Sequence, residues 1–260
     1  MKLTQRPTTI TILAIFLIGL TVFTVSKLQE SKNALIMKQN EMARKDSLMA
    51  DILRVQLAKL DSIENRFRTN FEYAYPRFKT FNENIDSSTV WKFSKVLVYY
   101  RLDSTDHYRD MYTGQLLLES GARQYKSDGD LLVGLAGEIG FCQIKPSTCL
   151  SYLERYTDSL MIKDDYLGST DDFTFVYDNT IPNDVKVNKC KNWLSKVRNN
   201  LIMWGFITRI DLDKKGDVNT QLVSYNMGTA GMYRYKRNGG SINGHTYIQK
   251  IKAKLLVSSH

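Results

Sequence analysis

The sequence predicts a mainly α chain: a transmembrane helix, then a long helical stalk, then a helical globular domain with a small irregular or β insertion. Three observations carry this expectation. Residues 8–25 hold no charge, residues 27–75 hold no glycine, and from about residue 76 aromatic residues become frequent and glycines come in clusters. The divisions that follow are a tail at 1–7, an anchor at 8–25, a stalk at 26–75 and a globular domain at 76–260.

The uncharged segment, as a helix, would reach about 27 Å at ~1.5 Å per residue, close to the hydrocarbon thickness of a bilayer. Lys2, Arg6 and the amino terminus precede it, which favours a cytoplasmic tail and an exported remainder, although Lys27 and Lys32 blur the asymmetry. A cleaved signal peptide is the competing reading. "TVS" at 24–26 is a mediocre cleavage site and no lipobox cysteine follows, so an uncleaved anchor is the expectation.

In the stalk, Leu28, Leu35, Met42, Met49 and Ile63 share one seven-residue spacing, with Gln56 as the exception. The companion positions are polar early (Lys32, Gln39, Asp46) and apolar later (Leu53, Leu60, Phe67). That pattern fits a helix whose second half has an apolar face, used either for self-association as a coiled coil or for folding back onto the domain.

Within the globular part, helices are expected at 89–101, 106–120, 147–156, 184–208, 217–227 and 244–257. Pro146 suits the first turn of the third of these. "SDGD" at 127–130 breaks the chain, and residues 157–182 are acidic and turn-rich, with "FTFVY" at 173–177 as the best strand candidate.

The composition is that of an ordinary globular protein, 43% apolar and 24% charged. The net charge of +9 suits an anionic polymer, an acidic membrane surface or nucleic acid, or solubility alone. The lysines are dispersed and no nucleic-acid motif is present, so a nucleic-acid partner is not expected. Cys142, Cys149 and Cys190 fit no zinc or CxxC spacing. Free buried thiols are the main expectation, with Cys149–Cys190 the pairing to check. No cofactor and no metal are expected. "DLDKKGDVNT" at 211–220 opens like a calcium loop, but Lys215 and Leu222 stand where oxygen ligands belong, and a turn before a helix with Asp217 at its amino end explains the same residues.

The chemistry centres on "LLLESGARQ" at 116–124, where Glu119 directly follows three leucines. A carboxyl in a partly apolar cleft keeps its proton towards neutral pH and can donate it. A solvent-facing helix residue is the bland alternative. Three further segments follow in order: "GEIGFCQIKPST" at 137–148, "LVSYNMGTAGMYRY" at 222–235 and "HTYIQKI" at 245–251.

Together with "ESG" at 119–121, these segments resemble the motifs of the SLT-type lytic transglycosylase domain, related to goose-type lysozyme: a Glu-Ser pair, a Gly-x-x-Gly-[LF]-x-Gln-[IL]-x-Pro run, an Ala-Tyr-Asn-x-Gly run and a late Tyr before an apolar residue. Each motif is weak alone; their order is what carries the likeness, over about residues 90–257. The resemblance implies a lysozyme-like fold and, as substrate, peptidoglycan glycan strands cut between N-acetylmuramic acid and N-acetylglucosamine. It implies Glu119 as the single acid and base, and 1,6-anhydro ends as the product. By position it implies that Ser120 orients Glu119, Gln143 hydrogen-bonds sugar, Tyr225 and Asn226 shape the floor and hold an N-acetyl group, and Tyr247 approaches the carboxyl. Tyr225 and Gln143 would also suit a packed core and a buried backbone respectively. The implied location is the inner membrane, single-pass, with the catalytic domain on the periplasmic or cell-wall side.

Two departures stand out: a long loop between Glu119 and Gln143, and Cys142 where methionine is usual. Glu138 is the nearest second acid in the motifs and reads best as a solvent-facing loop residue. A water-using muramidase, in wall metabolism or phage lysis, and a non-enzymatic wall-binding scaffold remain as alternatives.

Overall fold

A computed structural model of the chain describes residues 8–160 and 174–258. The tail at 1–7 and residues 161–173 of the acidic insertion lie outside the described residues. The rest is mainly helical: α1 (Thr8–Phe81), α2 (Ser87–Tyr99), α3 (Asp106–Ser120), α4 (Pro146–Leu160), α5 (Asn183–Leu194), α6 (Val197–Lys215), α7 (Val218–Arg237) and α8 (Thr246–Val257). No strand occurs among the described residues.

The chain divides into two compact units, Met1–Ser62 and Ile63–His260. The first contains one helical segment. An 18-residue window of it has mean hydropathy 1.2 and is wholly unburied, long and apolar enough to cross a membrane. Its large apolar side chains, among them Leu28, Leu35, Met42 and Leu53, are exposed.

The second unit begins inside α1, earlier than the expected boundary at residue 76, because the last turns of that helix belong to the domain core. Phe71, Ala74 and Phe78 recur on one face. Phe78 packs against Phe93 at 5.2 Å and Phe141 at 5.7 Å, and Phe71 against Trp91 at 5.5 Å. Asn70 Nδ2 donates to Asp103 at 2.9 Å, and Arg66 grips the same carboxylate. The helix therefore runs through Pro76 to Phe81, held by its packing at a residue that usually interrupts helices.

Trp204, fully buried on α6, sits between Phe93 of α2 and Tyr112 of α3, with ring centroids at 5.7 and 5.8 Å. Gly205 beside it lets α2 approach: a Cβ there would meet Tyr100 and Val96 at 2.5 Å.

Two local expectations change. The strand at 173–177 is replaced, over its described part, by a 3-10 turn at Thr174–Val176. Its carbonyls find no neighbouring strand; the Val176 carbonyl instead accepts from the buried Lys186 Nζ at 2.6 Å. The expected single helix at 184–208 is two, α5 and α6, parted at Ser195–Lys196. Side chains take the carbonyls freed there: Asn199 Nδ2 donates to Trp193 O at 3.1 Å, Asn200 Nδ2 to Leu194 O at 3.2 Å, and Gln124 Nε2 to Ser195 O at 2.8 Å. Asp211 and Asp213, the would-be calcium ligands, lie on α6. Asp213 pairs with Arg209 and Asp211 accepts from the Tyr152 hydroxyl at 2.8 Å. Gly216 closes α6 with φ 82°, and the Asp217 carboxylate caps α7 by accepting from Thr220 N at 2.8 Å. All three cysteines are free and buried, with the Cys149 and Cys190 thiols neighbours between α4 and α5.

Candidate active-site cleft

Glu119 is placed by the end of α3. Thr105 caps that helix at its start, and Gly121, in the left-handed region at φ 59°, ends it just after Ser120. The carboxyl thus sits at the negative end of a helix. It is half-buried, and it lines a cleft of about 740 Å³ together with Glu138, Gln143, Lys145, Tyr152, Asp211, Tyr225 and Asn226.

Burial is the main cause that raises the Glu119 pKa above its usual range. The Tyr247 hydroxyl, which donates to Oε1, pulls it back down, and the charge of Glu138 pushes it further up. Burial outweighs the hydrogen bond, so the net effect favours the protonated acid.

α8 reaches Glu119 through a close helix crossing. A Cβ on Gly114 of α3 would meet Ile251 and Leu255 of α8 at 2.8 Å, so glycine there allows the approach. Tyr247, in the first turn of α8, is 6% exposed and lies behind the carboxyl.

The facing wall is the loop 121–145, stitched by isolated antiparallel bridges, Tyr125 with Leu131 and Ile139 with both Val133 and Ile144. Its turn carries Gln143, whose Nε2 donates to Gly140 O at 2.8 Å and whose Oε1 would meet a Cβ on Gly134 at 2.6 Å. Glu138 accepts from Ala136 N at 3.0 Å and lies 3.5 Å from Lys145 Nζ.

The floor comes from α7. The Tyr225 hydroxyl donates to Cys142 O at 2.7 Å, and burial holds its phenol protonated. Asn226, exposed, follows it into the cleft, and Gly228 (φ 74°, ψ 155°) breaks the helix at the rim.

The structure therefore brings Glu119, Gln143, Tyr225, Asn226 and Tyr247 together, though their segments lie far apart in sequence. Ser120 stands apart from this group. Its hydroxyl donates to Leu116 O and accepts from Arg123 N, both at 3.3 Å, closing the turn after α3.

Sequence reasoning missed four residues. Gln124 is almost fully buried; its Oε1 accepts from Phe141 N at 2.7 Å while Nε2 donates to Leu194 and Ser195 carbonyls. Asn200 accepts from Cys142 N at 2.7 Å and donates to Ile139 O at 2.9 Å. These two amides suspend the Gln143 turn from α5 and α6. Tyr152 and Asp211 form the far wall of the cleft. Among the described residues no group of three or more His, Cys, Asp or Glu is arranged to hold a metal ion.

Scans against protein-family models, curated proteins and solved structures return no match to this chain.

Proposed function

We propose that the chain is a membrane-tethered peptidoglycan lytic transglycosylase with a lysozyme-like catalytic domain. The observation that carries this reading is the convergence on one cleft: Gln143, Tyr225 and Asn226 line it with Glu119, and Tyr247 hydrogen-bonds that carboxyl from behind. A polar-lined groove of about 740 Å³ has room for a short run of sugar rings.

In the proposed reaction Glu119 gives its proton to the glycosidic oxygen as the bond from that oxygen to muramic C1 breaks. The muramic N-acetyl oxygen supports the developing positive charge at C1. The Glu119 carboxylate then takes the proton of the C6 hydroxyl as that oxygen bonds to C1, closing the 1,6-anhydro ring. The acid is regenerated and no water is consumed. A raised pKa suits a group that acts first as acid and then as base. The unburied apolar helix near the amino terminus supports an inner-membrane anchor that holds the cleft on the wall side.

A muramidase that uses water is the second reading, favoured by one observation. Glu138 lines the same cleft and acts electrostatically on Glu119, contrary to its expected solvent-facing role. A second carboxylate is what an inverting hydrolase needs to activate water. Its engagement with Lys145 and the Ala136 amide argues for a fixed structural charge and keeps transglycosylation first.

The test is digestion of purified peptidoglycan by the detergent-solubilised full chain and its Glu119→Gln variant, read by mass spectrometry. Anhydro-muropeptides from the wild type alone are expected. Reducing ends would establish the hydrolase. Intact glycan that still binds would leave a wall-binding scaffold.

A further inference from the structure

The far wall of the cleft holds a charge that the proposed reaction does not use. Asp211, on α6, is 9% exposed and lines the cleft with Tyr152 of α4. Its Oδ1 accepts from the Tyr152 hydroxyl at 2.8 Å. Its Oδ2 takes no hydrogen bond among the described residues and is not sealed from solvent. Tyr152 is half-buried, and its ring lies 5.8 Å from that of Tyr156.

The cations around this carboxylate are committed elsewhere. Arg209, Lys214 and Lys215 share α6 with Asp211, within about one turn of it. Arg209 grips Asp213 through hydrogen bonds of 3.0 and 2.6 Å. Lys214 Nζ donates to the Tyr156 hydroxyl at 2.5 Å, and Lys215 Nζ to Thr229 Oγ1 at 3.3 Å. Lys145 lines the cleft and lies 3.5 Å from Glu138. Among the described residues no cation forms an ion pair with Asp211.

We propose that Asp211 and Tyr152 form a subsite for a primary ammonium group carried by the wall polymer. The inference rests on the reading of the cleft as a peptidoglycan site.

The argument is one of charge balance. Burying a carboxylate with no cation beside it is costly. The other charges of the cleft are settled: Glu119 is biased towards its protonated form, and Glu138 and Lys145 offset each other. Asp211 is left uncompensated, in a chain whose net charge is +9. A sugar hydroxyl can donate to Oδ2 but leaves the charge in place. An ammonium donates and neutralises it together. The near-burial of the carboxylate screens that attraction less than an open surface would.

Tyr152 arranges the subsite. Its hydroxyl occupies Oδ1 and leaves Oδ2 for the ligand. Its ring and that of Tyr156 present electron-rich faces, and the Tyr156 face already holds Lys214 Nζ at 4.9 Å from its centroid. Two groups of peptidoglycan carry the required chemistry. One is the C2 amine of a sugar that has lost its N-acetyl group. The other is the side-chain amine of a diamino acid in the stem peptide.

The test is isothermal titration calorimetry of the detergent-solubilised full chain carrying Glu119→Gln, so that glycan stays intact, at mildly acid pH. The probes are a glucosamine tetramer and its fully N-acetylated form, and an amino-capped stem tripeptide ending in lysine, with the side-chain amine free or acetylated. An amine-bearing probe should bind about tenfold or more tightly than its acetylated form. Adding Asp211→Asn should erase that preference and leave the acetylated probe within about twofold. A preference in the sugar pair places the amine on the glycan, and one in the peptide pair places it on the stem. Equal binding of free and acetylated forms in both pairs would overturn the subsite, as would the absence of binding by either amine. A preference that survives Asp211→Asn would overturn it too, and so would equal weakening of free and acetylated probes, the mark of a neutral hydroxyl site.

Should Asp211→Asn not fold, as judged by circular dichroism, Thr148→Lys carries the test. Thr148 lines the cleft one turn before Tyr152 on the same face of α4. A lysine there supplies the missing cation and should erase the preference; an undiminished preference would overturn the inference. Binding needs no turnover, so a chain that selects the amine yet leaves peptidoglycan intact would end the transglycosylase reading without touching this result.

Discussion

The two walls of the cleft are built by opposite means. Glu119 stands on a wall of helix against helix, where apolar side chains of α3 and α8 pack closely enough to require glycine at 114. Gln143 and Glu138 stand on a loop whose position is set by two buried amides, Gln124 within the loop, which ties it to the end of α5, and Asn200, which reaches it from α6. The difference teaches where each function can reside. Apolar packing supplies the dry surroundings that raise a carboxyl's pKa. Polar stitching supplies a fixed row of hydrogen-bonding groups that can stay open to solvent and sugar.

The contrast breaks most severely at the carboxyl itself. Glu119→Gln should lower glycan cleavage by about 10²- to 10⁴-fold, the range for loss of a general acid–base group, with binding to insoluble peptidoglycan retained. Sedimentation with the polymer separates the two effects.

Next in size come the loop's suspensions. Gln124→Ala would leave the Phe141 N–H unpartnered and take one of two donors from each of the Leu194 and Ser195 carbonyls, at a cost of about 2 kcal/mol by denaturant unfolding. Gly140→Ala should cost about 2–3 kcal/mol, because φ is 69° there and a Cβ would collide with the same Gln124 amide. In both variants activity should fall as the Gln143 turn loosens, although neither residue lines the cleft.

The helical wall should answer differently. A carboxyl whose folded pKa is raised stabilises the fold below its unfolded value, near 4.5, and loses that contribution as pH rises through the folded value. Glu119→Gln should therefore melt higher than wild type at pH 7, and the gap should close below about pH 4.5. Calorimetry at the two pH values checks the sign.

The smallest effect is expected between the walls. Glu138→Gln removes a negative charge facing Glu119, so the Glu119 pKa should fall and the alkaline limb of the activity profile should move to lower pH. A collapse of turnover in Glu138→Gln would instead favour the hydrolase, with Glu138 activating water.

The sequence by itself determined what depends on near neighbours. The span of α3 agrees with its expected 106–120, because the Thr105 cap, the apolar run and Gly121 are all local signals. The glycine-free run reads as helix for the same reason, and Gly216–Asp217 as a helix end followed by a cap. Tertiary structure decided what depends on distant partners. The 184–208 segment is divided where Asn199, Asn200 and Gln124 compete for backbone carbonyls, and Gln124 lies 70 residues from the Leu194 carbonyl it binds. No periodicity reports such a bond. The strand expected at 173–177 depended on a partner strand, and the described fold offers a lysine instead. At the cleft, the order of motifs pointed to Glu119, Gln143, Tyr225, Asn226 and Tyr247. That Ser120 serves its own turn, that Glu138 faces the acid, and that Asp211 meets Tyr152 follow from how helices pack in three dimensions, where a hydrogen bond or a dry surface is made by residues that the chain itself keeps far apart.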